Sequence, residues 1–100
     1  MNRGPLPREE RVAAIRAAIE AALHPVSLVV EDESHLHAGH EGARDGRGHF
    51  RVEVVSDAFQ GMGPIARHRA VYAAVGDLMA TDIHALAIVA KVPPATLAKD

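Results

Sequence analysis

The 100-residue chain contains no cysteine. That excludes disulfides, a thiol nucleophile, and any zinc–thiolate or iron–sulfur site built from this chain alone. A soft metal centre would need its sulfur from another molecule. No apolar run approaches the ~20 residues of a membrane-spanning helix. The opening stretch, MNRGPLPREERV, lacks the apolar core of a secretory signal. The expectation is a soluble cytoplasmic protein. Positive charge is also short for a dedicated nucleic-acid binder: 11 Lys and Arg face 13 Asp and Glu, a net charge of −2. There is no glycine-rich phosphate loop, no nucleophile elbow around a Ser or Thr, and no acid–histidine pair at catalytic spacing. The chain is therefore not expected to be an enzyme. It shows no internal repeat or low-complexity segment.

What is present suits one small globular domain, with 48% hydrophobic and 24% charged residues. Residues 1–6 read as a flexible tail ahead of a single domain over 7–100. From Arg8 to Leu23, Val12, Ile15, Ile19 and Leu23 recur at helical spacing, and Pro25 stops the helix. Val26 to Glu31 is rich in β-branched residues, with Val26, Leu28 and Val30 on one face. Asp32 to Gly48 carries four glycines and reads as a long loop of the functional or disordered kind. His49 to Ser56 alternates again, with Phe50, Val52 and Val54 inward, and pairs with the first strand as an antiparallel hairpin. A turn over 57–64 leads into a second helix, Pro64 to Met79. Its apolar stripe is Ile65, His68, Tyr72, Val75 and Met79, with Val71 and Leu78 beside it. Ile83 to Val92 is almost wholly apolar, as for a strand covered on both faces. It completes a β-α-β unit, so it should run parallel to the second strand. ATLAKD, at the end, could add one helical turn. The order is α-β-β-α-β(-α): an α+β sandwich of a small three-stranded mixed sheet with both long helices on one face.

The chain holds seven histidines. Three fall in ESHLHAGH (33–40): His35, His37 and His40. On an extended segment, HxH spacing puts two rings on one side, where they could meet one metal; the plain alternative is a polar loop. His24 sits at the negative end of the first helix, and His49 opens the second strand. His68, inside the apolar stripe, reads as a core or half-buried residue, or as a donor at the helix edge. His84 is anchored at a strand start yet able to reach solvent. Neutral imidazole suits iron, copper or zinc and can replace thiolate on one iron of a [2Fe–2S] cluster. The acidic run EDE (31–33) is a solvated face or a cation site. Arg67, His68 and Arg69, with Arg44, Arg47 and Arg51, could make a basic edge for phosphates, or simply be exposed arginines. Only one aromatic residue, Tyr72, lies near that triplet, so there is no stacking platform.

Four stretches taken together resemble the BolA family: VEDESHLHAGH (30–40), HFRVEVVSDAFQGM (49–62), RHRAVYAAV (67–75) and IHALAI (83–88). They cover most of the chain in the right order, and the loop is most similar to the bacterial branch. The resemblance implies a class II KH-like fold. It also implies partnership with a monothiol glutaredoxin around a shared [2Fe–2S] cluster, with thiolates from the glutaredoxin and glutathione. His84 matches the strand-three ligand. The loop ligand falls on His37, with His35 and His40 as neighbours. The second role it implies is DNA-linked regulation of transcription, in stress response and cell morphology, through Arg67, His68 and Arg69 on the second helix. The chain departs from KH domains in lacking a GxxG loop: QGMG (60–63) has its glycines two apart and runs into Pro64. Gly63 stands where relatives often carry a capping Ser, so the second helix should be more weakly capped.

Overall fold

The computed structural model describes residues 5–37 and 46–94. A 3₁₀ turn, Arg8–Glu10, leads into α1, Arg11–Leu23. Ile15, Ile19 and Leu23 are buried along one side, as their spacing predicts. The helix closes at His24, which takes the left-handed conformation (φ 46°, ψ 55°) and donates its N–H to the Glu20 carbonyl. That conformation normally favours glycine. Here Pro25 already forbids continuation, so the chain must turn at His24.

The sheet comprises β1, Ser27–Asp32, β2, Gly48–Val55, and β3, Ile83–Lys91, in spatial order β1-β2-β3. β1 and β2 pair antiparallel, with Val30 opposite Val52; β2 and β3 pair parallel, with Val52 opposite Ile88. Phe50, Val52 and Val54 project into the core against Ile15, Ile19, Val71 and Val75. Both long helices therefore cover one face of a mixed sheet. Ser56 is buried and ties layers together: its hydroxyl donates to the Leu23 carbonyl and accepts from Ala58 N–H. Phe59, in the 3₁₀ turn Asp57–Phe59, is also fully buried.

Four expectations are corrected. The second helix does not reach Met79. α2 spans Pro64–Val75 and stops at Gly76, whose positive φ of 54° ends the helix; a separate short α3 follows at Leu78–Thr81. The buried side of α2 is Val71 and Val75, flanked by partly buried Ala70 and Ala74. Ile65 is 70% and Tyr72 40% exposed, and His68 is exposed rather than in the core. Small alanines let that side approach the sheet closely, and Arg67 fixes the rotation by donating to the Met62 and Ala90 carbonyls at 2.9 and 3.1 Å. β3 is not covered on both faces, since both helices lie on one; exposed Ala85 and Ala87 look outward. Val26 falls outside β1 and is 59% exposed. The terminal ATLAKD segment lies outside the described residues. Leu6 donates its N–H to Asp82 Oδ1 at 2.7 Å.

Candidate functional site

The C-terminal end of β1, the N-terminal ends of β2 and β3, and the start of α1 meet at one end of the sheet. His84 stands there on a bulge. Gly48 pairs with Ile83 and His49 with Ala85, so His84 is an extra residue on β3. The extra residue explains a pattern that strand periodicity forbids: Ile83 and Leu86, three apart, both face the core. Bulges re-aim a side chain, and this one turns His84 out to solvent. Its imidazole leans on His49, with ring centroids 5.2 Å apart and planes tilted by 37°. Arg47 Nη2 lies 3.3 Å from His84 Nδ1, while Arg47 Nη1 donates to the Met79 carbonyl at 3.3 Å.

The loop histidines begin in a 3₁₀ turn, Ser34–His37, that is tied to the same end. Asp32 Oδ1 accepts from Ser34 N–H at 2.8 Å, which initiates the turn. Ser34 Oγ accepts from His49 N–H at 3.1 Å, and Glu33 N–H donates to the His49 carbonyl at 2.8 Å. This close approach requires glycine at position 48, where a Cβ would stand 2.6 Å from Ser34 Oγ and 2.8 Å from the Phe50 ring. His35 is exposed and lines a cleft of about 510 Å³ with Arg8, Arg11, Arg47 and His49. His37 closes the turn; His40 and Arg44 lie outside the described residues.

A buried ion pair underlies this end. Arg11 Nε donates to Asp82 Oδ1 at 2.9 Å, and both side chains are almost fully inaccessible. Thr81 Oγ1 donates to Asp82 Oδ2 at 2.6 Å, and the Asp82 carbonyl accepts from Gly48 N–H at 2.9 Å. Burial pushes the Asp82 carboxyl up. Hydrogen bonds from Thr81, Arg11 and Leu6, with the Arg11 charge, outweigh burial and hold it below the usual carboxylate range. The network pins α1 to the residue before the bulge. Nothing in the spacing of residues 11 and 82 signals it; only a buried Arg or Asp could.

Among the described residues the arginines named above do not gather into one basic edge. Arg51 lies on the open face of the sheet beside Glu53 at 2.9 Å and Glu31 at 4.0 Å. Arg67 is engaged by carbonyls at the far end; from Ala85, opposite His49, to Ala90 is roughly 17 Å of strand. His68 and Arg69 are exposed, beside Pro64, Ile65 and Tyr72. Of the acidic run, Asp32 serves the turn and Glu31 faces Arg51. Among the described residues no three His, Asp or Glu side chains converge to hold a metal.

The profile of the BolA-like protein family matches residues 19–94. The chain is 42% identical over 95 residues to "Protein BOLA1, chloroplastic" of Arabidopsis thaliana, covering 92% of this chain and 59% of that protein. It is 49% identical over 81 residues to "BolA-like protein 1" of Mus musculus, covering 81% of this chain and 57% of the other. The chain thus spans less than two thirds of the length of these relatives. Among solved structures, the BolA domain of SufE1 from Arabidopsis thaliana superposes with a TM-score of 0.73 at 46% identity, covering 83% of this chain and 92% of that one.

Proposed function

This chain belongs to the BolA-like protein family, and from that premise we propose that it lends histidine to a [2Fe–2S] cluster shared with a monothiol glutaredoxin. The observation that carries the reading is His84: an exposed imidazole on a bulge, braced by His49 and a buried ion pair, beside the anchored turn that carries His35 and His37. His84 and His37 are the ligands in this reading, with His35 and His40 as neighbours. The donor set fits half a site. Imidazole can hold one iron of a [2Fe–2S] cluster, and a chain with no cysteine must take the thiolates from its partner, here glutaredoxin and glutathione. When bound, the cluster supplies one-electron redox chemistry or is itself the cargo of iron–sulfur and iron homeostasis. The chain's own work is to hold a neutral imidazole at a rigid edge. We place this activity in the cytoplasm; the Arabidopsis relative above carries "chloroplastic" in its name, so compartment need not follow family.

The test is reconstitution of the cluster with a monothiol glutaredoxin, read by its visible spectrum. The double variant His37→Ala with His84→Ala should lose the spectrum of the mixed complex and weaken the complex. An unchanged spectrum and affinity would refute the reading. The mixed complex should also lose its cluster on acidification, because protonated imidazole cannot ligate.

A second reading, DNA-linked regulation through α2, draws support from exposed His68 and Arg69. Arg67 supports it less, because its guanidinium is engaged by two carbonyls.

A further inference from the structure

Arg47 bears on the state of the His84 ring. A guanidinium has N–H donors and no lone pair with which to accept. In the 3.3 Å contact between Arg47 Nη2 and His84 Nδ1, the ring nitrogen must therefore be the acceptor. The neutral imidazole then carries its proton on Nε2. Two contacts support this arrangement: His49 packs on one side of the ring at 5.2 Å, and Arg47 has a second anchor on the Met79 carbonyl.

A metal needs one bare ring nitrogen. If it takes Nδ1, it takes the lone pair that Arg47 occupies. If it takes Nε2, the ring proton must move to Nδ1, where it would face the Arg47 N–H groups, donor against donor. Neutral imidazole cannot keep the Arg47 contact and bind metal through either nitrogen. Metal-binding histidines ordinarily present the opposite arrangement, with the second nitrogen donating to a carboxylate or carbonyl.

We propose that Arg47 is a positioning residue that holds His84 in a tautomer unable to ligate, so that His84 becomes a ligand only when Arg47 leaves Nδ1. This rests on the reading of His84 as an iron ligand. It adds that the imidazole at the sheet end is guarded in the isolated chain, and that a productive partner must displace the guanidinium.

The test uses the isolated ¹⁵N-labelled chain, with no glutaredoxin and no cluster. Long-range ¹H–¹⁵N correlation spectra at about pH 8, above the ordinary imidazole range, report which nitrogen of His84 carries the proton. Zinc titration followed on the same signals reports affinity. Wild type and Arg47→Lys should show the proton on Nε2. Arg47→Glu, which puts an acceptor opposite Nδ1, should move it to Nδ1, and Arg47→Gln should move it partly. Zinc binding dependent on His84 should tighten about three- to tenfold in Arg47→Glu and Arg47→Gln, the size of one ordinary net hydrogen bond. A wild-type ring with its proton on Nδ1 overturns the proposal. So does zinc affinity that rises while the tautomer stays put, since Arg47 then acts by charge alone. Failure of cluster reconstitution with a positive tautomer result would refute the cluster reading and leave the guard intact.

Discussion

Asp82 is the residue on which this end of the molecule hinges. Its carboxylate accepts from Leu6, Arg11 and Thr81, and its backbone holds the start of β2. A buried pair adds little over well-packed apolar groups, but removing one partner leaves a bare charge in a dry site. Asp82→Ala should cost about 3–5 kcal/mol in urea unfolding, and Arg11→Met with Asp82→Leu should cost less than Asp82→Ala alone. The pH dependence follows from the lowered pKa. The folded state binds its proton less readily than the unfolded chain, whose ordinary value is 3.8. The stabilisation is thus present above about pH 4 and is lost as pH falls through the lowered folded-state value. Urea midpoints measured from neutral to about pH 2 should fall more steeply for wild type than for Asp82→Asn. The composition of the chain hints at none of this. Arg11 sits in a stretch that reads as the polar start of a helix, and its burial depends on a residue 71 positions away.

At the scale of elements, the alternation Phe50, Val52, Val54 and the helical recurrence Ile15, Ile19, Leu23 were enough to give α1, the hairpin and the parallel crossover. Local periodicity succeeds there because each element buries one face only. It fails where two faces are plausible. The stripe Ile65, His68, Tyr72 on α2 has good helical spacing, yet the alanine side carrying Val71 and Val75 is buried, because Arg67 is anchored on Ala90. The bulge at His84 is invisible in IHALAI, since every neighbour is apolar and no alternation exists to be broken. The weak cap of α2 was legible: Gly63 provides no side-chain hydrogen bond, and a Cβ there meets open space. Its φ of −78° suits any residue. Gly63→Ser should therefore stabilise the fold by about 0.5–1 kcal/mol, visible as a raised melting temperature.

For the whole molecule, the two candidate activities sit at opposite ends of the sheet. His35, His49 and His84 gather at the N-terminal ends of β2 and β3, while Arg67 reaches Ala90 near the C-terminal end of β3. They can therefore be separated by substitution. Arg67→Ala should lower stability by about 1–3 kcal/mol, by orphaning two carbonyls. Arg69→Ala should leave stability within about 0.5 kcal/mol. If DNA is bound through α2, the same Arg69 substitution should lessen the slope of log affinity against log salt by about 0.9. An unchanged slope would remove Arg69 from any phosphate contact. Neither change should affect a cluster held at the other end. Among the described residues no helix is long and apolar enough to cross a membrane.

Composition and order alone determined the α+β class, the single hairpin, the lack of any thiolate ligand in this chain, and the family resemblance, because these depend on residue type and local period. Tertiary structure alone decided which histidine is presented and how. His84 faces solvent because a bulge shifts it out of register. The loop turn lies near it because Ser34 bonds the backbone of His49, and Arg47 meets its ring because β2 begins beside β3. Each of these joins residues far apart in the chain, and no local pattern encodes such a contact.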